Sequence, residues 1–302
     1  NGLAERARVT SEAYRAGRPS SGVIREANDA LAYALTRLPA TYAACTGAFQ
    51  AVLEQAPGFA PRTLLDAGAG TAAASWAAAQ AWPGLEAATW LDESPHFLAL
   101  AGELAANGPQ MLSAAQKVRG DLTAPRDWPL ADLVVASYAL AEIAPDRQAA
   151  VVGALWKACD GVLVLVEPGT PAGYRRILAA RTQLIAAGAG VVAPCPHATP
   201  CPLVGEDWCH FSVRLPRSRD HRLAKAADAP FEDERFSYLI VARPSVLVAP
   251  ARARILAPPL TGKPGIALKL CSPLGEVEHR VVPKRDKPAY AATRRLAWGD
   301  ML

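Results

Sequence analysis

The chain reads as a doubly wound, Rossmann-like α/β sheet with helices before it, a cysteine-rich insertion inside it and a small β appendage after it. Three observations predict this. The first is Thr63 to Trp76, TLLDAGAGTAAASW, where a short apolar run closes on Asp66, Gly68 and Gly70 turn the chain, and an alanine-rich helical stretch follows. Glycines at such a turn let the backbone approach a ligand lying at the carboxyl end of the strand. The second is a series of apolar runs, most of them separated by helical segments, as in a parallel sheet covered on both faces. The third is Pro194 to Phe211, PCPHATPCPLVGEDWCHF, in which three cysteines sit on a proline-rich loop.

Taken in order, residues 1–57 are expected to be helical. Ile24, Ala27, Leu31, Leu35 and Leu38 recur at helical spacing, Pro39 interrupts, and Thr41 to Leu53 resumes the pattern. Such a lead-in covers a sheet edge or lids a site. Cys45, among alanines and threonines, reads as a small buried residue. After the glycine loop, Ala87–Leu91 is a second strand ending in Asp92, where a carboxylate accepts hydrogen bonds from a ribose hydroxyl pair. Val118–Leu122 is a short third strand with Asp121 at its end, facing an adenine edge. Asp132–Ala136 is the fourth, with Ser137 and Tyr138 at its carboxyl end, and Val162–Val166 the fifth, ending in Glu167-Pro168-Gly169. Strands at His210–Leu215 and Phe236–Ala242 fit a final antiparallel pair.

The D-x-G-x-G spacing resembles motif I of class I S-adenosylmethionine (SAM) methyltransferases. The dinucleotide pattern G-x-G-x-x-G fails at Ala73. A SAM pocket is therefore expected on Asp66, Gly68, Gly70, Asp92, Asp121 and Ser137. Catalytic residues are not evident. An Asn/Asp-Pro-Pro-aromatic loop after strand four would suit amino methylation, but the chain has Ser137-Tyr138-Ala139-Leu140 there. Cys159 precedes strand five and so does not offer the nucleophile of cytosine C5 methylation. Glu142 and Glu167 read equally as bases or as solvated or capping carboxylates. A SAM pocket retained without turnover is one reading.

Cys195, Cys201 and Cys209 are poor core residues, and Cys271 follows far downstream in LKLCSP. Soft thiolates on an irregular loop suit an iron–sulfur cluster or zinc. The absence of C-x₂-C pairs favours the cluster, while His197 and His210 could replace a thiolate in a zinc site. Disulfides are disfavoured in a reducing compartment.

Charge is uneven. Residues 1–210 carry 15 basic and 19 acidic side chains, net −4, and residues 211–302 carry 17 and 9, net +8. A basic tail on a near-neutral body points to a polyanion such as RNA, though an arginine-rich solvated face is the plainer reading. Strand-like runs at Ala253–Leu256, Ile266–Leu270 and Val277–Val282 suggest a small β unit. Arg252, Arg254, Lys263, Lys269, Arg280, Lys284, Arg285 and Lys287 supply its charge. With 51% hydrophobic and 20% charged residues among 302, the chain can bury a full core. No apolar run approaches the roughly 18 residues that span a bilayer, so no membrane partner is expected. The sequence opens at Asn1 rather than methionine, compatible with a trimmed leader, and a cytoplasm or a matrix is the expected setting. The expected divisions are 1–57 helical, 58–244 methyltransferase-like with the insertion at about 190–210, and 245–302 the basic extension.

Together, LLDAGAGTAAASWA, DLVVASYALAEI, VEPGTPAGYRRILAAR, CPHATPCP…WCHF, LKLCSP and the closing WGD resemble the methyltransferase-like assembly factors of the mitochondrial small ribosomal subunit and their bacterial relatives. The resemblance implies a [4Fe–4S] cluster on Cys195, Cys201, Cys209 and Cys271, a SAM-type pocket around Asp66, Gly68, Gly70 and Asp92, and binding of a monomer to small-subunit rRNA during assembly. It leaves methylation itself open. One departure is Ala72, where many methyltransferases carry a third glycine. The rival is a SAM-dependent methyltransferase of a small molecule with a zinc-stapled lid, which the basic tail disfavours. A radical SAM enzyme fits poorly, because its C-x₃-C-x₂-C motif is absent.

Overall fold

A computed structural model describes residues 2–15, 20–124, 127–225 and 228–302. Residues 1 and 16–19 of the expected helical lead-in lie outside the described residues. The chain begins with α1 (Gly2–Arg15), α2 (Ser20–Val23) and the long α3 (Ala27–Gln55). The α/β part follows as β1 (Thr63–Ala67), α4 (Ala73–Ala81), β2 (Ala87–Asp92), α5 (Pro95–Ala105), α6 (Gln110–Ser113), β3 (Gln116–Arg119), β4 (Ala131–Ser137), α7 (Pro145–Ala158) and β5 (Cys159–Pro168). It continues with α8 (Pro171–Ala186), β6 (Gly190–Ala193), β7 (Phe211–Pro216), α9 (Arg219–Lys225) and β8 (Phe231–Ala242). The tail forms β9 (Arg254–Ile255), β10 (Leu260–Thr261), β11 (Gly265–Cys271), β12 (Val277–Pro283) and α10 (Lys287–Thr293).

The main sheet runs β3-β2-β1-β4-β5-β8-β6, with β7 paired to β8. Its first five strands are parallel, and β8 enters antiparallel between β5 and β6. That order, reversing at β1/β4 and closed by one antiparallel strand, is the class I SAM-methyltransferase-like fold. Ligands in such sheets lie at the carboxyl ends of the strands, at the reversal. Alternate residues sort onto two faces. Leu64, Leu133, Val135, Val162 and Val164 join the core under α3, α4 and α5. Leu65, Val134, Leu163 and Leu165 join the core under α7 and α8. Burying each such side chain contributes about 1.5–3 kcal/mol.

The lead-in departs from expectation twice. Pro39 does not break the helix: α3 continues through it for 29 residues. The packing of α3 against α1, α4 and β8 holds it across the missing hydrogen bond. Many of its buried positions are small ones, Ala30, Ala34, Ala40, Ala44 and Ala48, with Phe49 the largest exception, while Leu31 of the expected stripe is 36% exposed. Small side chains let neighbouring helices approach on more than one side. The third strand is also shorter than expected, and Asp121 lies two residues beyond its end. β6 was not visible as a strand in the sequence, being only four residues after a helix.

The tail forms a second sheet, β10-β11-β12 with β9 on β11, around Ile255, Ile266, Leu268, Leu270 and Val282. Arg254 is not on its basic face. It is 4% exposed and donates to the carbonyls of Pro194 (3.1 Å) and Gly299 (2.6 Å), tying tail to cysteine loop. Lys269 pairs with Asp207 and Arg280 with Glu278.

Helix α8 starts hard against the end of β5, with Thr170 capping the Gly173 amide at 3.1 Å. A Cβ at Gly173 would overlap the Pro168 carbonyl, whereas one at Gly58 meets nothing within 4 Å. Gly173→Ala is therefore expected to destabilise by about 1–3 kcal/mol and Gly58→Ala by almost nothing, read from urea midpoints.

Candidate functional site

The expected nucleotide residues gather at the carboxyl edge of the parallel strands. Asp66 near the end of β1 is fully buried, and its Oδ2 accepts from the Ser75 amide (3.1 Å) and hydroxyl (2.6 Å). Ser75 in turn accepts from the Trp90 indole at 3.0 Å, so strand, helix and second strand are pinned together. The other oxygen, Oδ1, is buried without a partner. Burial raises the Asp66 pKa to about 6, against the two Ser75 hydrogen bonds that lower it.

Gly68 and Gly70 are both left-handed, φ 73° and 53°. A Cβ at Gly68 would stand 2.8 Å from that of Ala139, while Gly70 faces open space. Ala72 adopts φ 61° at the place of the missing third glycine, a conformation that costs a non-glycine residue about 1–2 kcal/mol. Ala72 thus holds a left-handed conformation that a glycine would adopt without that cost.

Asp92 closes the loop. Its Oδ2 accepts from the Gly70 amide and Oδ1 from the Ser94 amide, each at 2.8 Å. Burial raises its pKa, opposed by those amide bonds. Each carboxylate oxygen keeps a second lone pair, enough for a ribose diol. Asp121 is turned onto Thr123 through both oxygens at 2.7 Å, and these bonds lower its pKa. Ser137 ends β4 beside Cys45 of α3. Of the remaining candidate bases, Glu142 stands within electrostatic reach of Tyr33 of α3, and Glu167 is tied to α8. Glu167 is 1% exposed on the α8 face and accepts from Arg176 Nε at 2.5 Å, and Glu142 lies in the turn Leu140–Glu142. Cys159 opens β5, at the opposite edge of the sheet from the pocket.

A network absent from the sequence reading stands beside this pocket. Tyr138 donates to Glu234 Oε1 at 2.7 Å, and Arg37 of α3 forks onto the same carboxylate at 3.0 and 3.3 Å. Nothing in the sequence joins residues 37, 138 and 234, since they meet only through the sheet order.

The four candidate metal ligands, from two stretches of chain, line one cavity. Cys195 follows β6, Cys209 precedes β7, Cys201 lies in the loop between, and Cys271 ends β11. Tyr174 of α8 lies 3.2 Å from the Cys201 sulfur, and the His197 Nε2 lies 3.3 Å from that of Cys271. Apolar Ile177, Leu203, Leu239 and Leu256 complete the wall with two buried guanidiniums, Arg181 and Arg254. Arg181 donates to the carbonyls of His197 (2.7 Å) and Thr199 (2.8 Å), but its buried Nε has no partner. His210 is stacked on Trp208 and edge-on to Trp298, away from a ligand role.

These residues suit a thiolate-held anionic cluster. The donors are soft, the wall is dry, and the arginines offset negative charge. Burial raises the pKa of Cys195 and Cys209 and takes Cys271 up to about 12, with neighbouring thiols adding to it. Binding must therefore displace protons. Among the described residues no three His, Cys, Asp or Glu side chains stand where one metal ion would take them together. One zinc needs sulfurs roughly 3.8 Å apart, from 2.3 Å bonds in a tetrahedron. A four-iron cluster spreads its four sulfurs wider, one per iron, and so asks for less convergence.

The profile described as mitochondrial small ribosomal subunit Rsm22 matches residues 27–302. The human ribosome assembly protein METTL17, mitochondrial, is 31% identical over 300 residues, covering 90% of this chain and 62% of that protein. The Rsm22-cox11 tandem protein 2, mitochondrial, of Schizosaccharomyces pombe is 28% identical over 217 residues, 56% of this chain and 28% of that one. The chain thus spans less than two thirds of the length of these relatives. Among solved structures, the N-methyltransferase NodS of Bradyrhizobium japonicum has a TM-score of 0.43 at 15% identity, over 65% of this chain and 85% of that one. Magnesium protoporphyrin IX methyltransferase of Synechocystis has 0.40 at 17%, over 65% and 80%. The fold is read from the strand order, not from these scores.

Raising the Asp66 pKa from 3.8 to about 6 makes the folded state the better proton binder. Its contribution to stability is then greatest below about pH 4, falls as pH climbs towards about 6, and stays low above that, by up to about 3 kcal/mol. Asp66→Asn keeps an acceptor for Ser75 without the buried charge. Melting curves should show it close to wild type near pH 4 and more stable than wild type above pH 7.

Proposed function

We propose that this chain, which belongs to the Rsm22 family of mitochondrial small ribosomal subunit proteins, is a ribosome assembly factor that binds small-subunit rRNA through its basic tail, with a [4Fe–4S] cluster fixing the tail to a SAM-type domain. The observation that carries the reading is the meeting of Cys195, Cys201, Cys209 and Cys271 on one cavity. Cys271 is the end of β11, and at the other end of that strand, about 20 Å away, lies the basic cluster. Gly265 pairs with Pro283 there, so Lys263 before β11 and Lys284, Arg285 and Lys287 after β12 collect at one end of the small sheet.

Charge supports the RNA part. Lys263, Lys284, Arg285, Lys287, Arg294 and Arg295 are exposed, and none has an ion pair among the described residues. Asp286, the acid within the run, is turned to cap α10 through the Ala289 amide at 3.2 Å. Unpaired cations in such density are suited to phosphates, whose counterions they release on binding. The relatives' names supply ribosome assembly and the mitochondrion as the setting, and we place this chain in a mitochondrial matrix or a bacterial cytoplasm. SAM is the ligand the carboxyl-edge pocket fits, through Asp92 and the two glycines, and a monomer is the expected state.

Protein purified without oxygen should be brown and hold about four irons and four sulfides rather than one zinc. Cys201→Ser and Cys271→Ser should each lose the iron and weaken binding to small-subunit rRNA, and Asp66→Asn should spare both. Replacing Lys284, Arg285 and Lys287 together by Gln should keep the iron and flatten the log–log salt dependence of RNA affinity by about two. Full RNA affinity in the iron-free cysteine variants would show that no cluster organises the RNA surface.

A further inference from the structure

The carboxyl edge of the main sheet carries a second storey. Strand β8 runs for 12 residues, but only Phe236–Ala242 pair with β5. Its first part continues beyond the end of β5, paired to β7 as far as Phe231 with Pro216. Glu232 on this extension is gripped by Lys225 at 2.6 Å and Arg217 at 3.2 Å, and α9 rests on α1 and α3. Helix α3 is about 43 Å long, against about 17 Å for β1. Its second half, from Ala44, packs in the core with α4, so its first half overshoots the sheet above the nucleotide pocket.

Along that first half the side chains meet one strand end after another. Tyr33 packs on Phe97 of α5 with ring centroids 4.9 Å apart, within electrostatic reach of Asp92 and Glu234. One turn on, Arg37 forks onto Glu234 and covers the Tyr138 ring at 5.3 Å. Two turns further, at the start of the second half, Cys45 stands beside Ser137 and close to Asp66. Tyr138 itself is held at φ 58°, a conformation that an aromatic residue keeps only when its surroundings impose it.

We infer that the first half of α3 is a latched roof over the nucleotide pocket, held shut by the Arg37–Glu234–Tyr138 fork, so that the pocket takes up a nucleoside-type ligand without presenting it to an RNA base. The inference rests on the SAM-type pocket of the proposed function, not on the cluster or the RNA surface. A macromolecular acceptor would have to enter beside the end of β4. That place is filled by the Tyr138 ring, with its hydroxyl tied to β8 and its face covered by α3. Ligand therefore enters and leaves when the roof lifts, and occupancy is felt by α3 and by α1 on top of it. The pocket's role is binding that reports on a nucleoside, with rRNA contact made elsewhere on the molecule.

The test uses S-adenosylhomocysteine as the probe and the iron-loaded full chain, with association and dissociation rates measured by surface plasmon resonance. Glu234→Gln, which removes the ion pair, is expected to speed both rates about tenfold while leaving the equilibrium affinity within about threefold. Tyr138→Phe, which removes only one hydroxyl, is expected to give a smaller increase in both. Iron content and rRNA affinity should be unchanged in both variants, which separates a failure here from a failure of the RNA-binding reading. Rates equal to wild type in both folded variants would overturn the roof, as would wild-type protein that binds no probe. Methyl transfer from SAM to small-subunit rRNA by the wild-type chain would overturn it as well.

Discussion

Strand β8 is hydrogen-bonded to three partners, and both candidate sites hang from it. Its second half closes the main sheet between β5 and β6, its first half pairs with β7, and the pairing fixes what each end presents. Towards the pocket it sets Glu234 against Arg37 and Tyr138. At the next turn of the same strand, Ser237 donates to the Cys209 carbonyl at 2.8 Å, and Tyr238 and Leu239 wall the cysteine cavity. A one-residue slip in β8 would send each of these side chains to the other face. The fully buried run Leu239 to Ala242 makes such a slip costly, so register at the core is what keeps two polar sites in order.

The two sites handle buried charge differently. At the pocket edge, carboxylates are held by neutral donors: Ser75 for Asp66, backbone amides for Asp92. Such bonds oppose the rise in pKa that burial causes, and they leave lone pairs on Asp92 that a small polar ligand can share. In the cysteine cavity the charges run the other way, with buried arginines and protonated thiols. Two guanidiniums without a carboxylate partner are expensive in a dry wall unless an anion faces them. Arg181 and Arg254 satisfy part of their need with carbonyls, and thiolates in place of thiols would meet the rest, including the orphaned Nε of Arg181. The arginines therefore make sense as part of an anionic centre and little sense without one.

Much of this was legible in the sequence, for reasons that are local. The D-x-G-x-G turn carries its own backbone requirement, and the structure has left-handed glycines at 68 and 70. Parallel strands buried on both faces read as apolar runs, so five strands were found at nearly their true places. What was hidden is what depends on contacts far apart in the chain. Pro39 reads as a stop, yet a helix packed on several sides tolerates it. Arg254 reads as one more surface cation in a basic tail, and only the meeting of tail and cysteine loop buries it. Tyr138 gives no hint of its left-handed backbone, and Glu234 looks like part of the acidic run Glu232-Asp233-Glu234 although its role differs from that of its neighbours. Asp233 pairs outward with Arg214, whereas Glu234 turns inward to Arg37.

The appendage shows what a cluster would add to the joint between tail and main domain. The small sheet has a core of only a few side chains, Ile255, Ile266, Leu268, Leu270 and Val282 among them. Its links to the main domain are the Arg254 fork, the Lys269–Asp207 pair, the His197 contact to Cys271, and apolar contacts of Trp298 with the main core and of Leu256 with the cysteine cavity. Of these, a surface ion pair such as Lys269–Asp207 contributes about 0–1 kcal/mol. Alternation along β11 turns Ile266, Leu268 and Leu270 into the small core and sends Cys271 to the opposite face, towards the loop of Cys195 and Cys201. A covalent set of iron–thiolate bonds at that point would replace several weak contacts with one rigid joint. Because β11 is a single paired strand, fixing its cysteine end fixes its basic end too, and phosphate-binding charges held at a set angle to the main domain can recognise shape as well as charge. The geometry of the joint, more than the number of cations, is then what would distinguish this tail from any other basic tail.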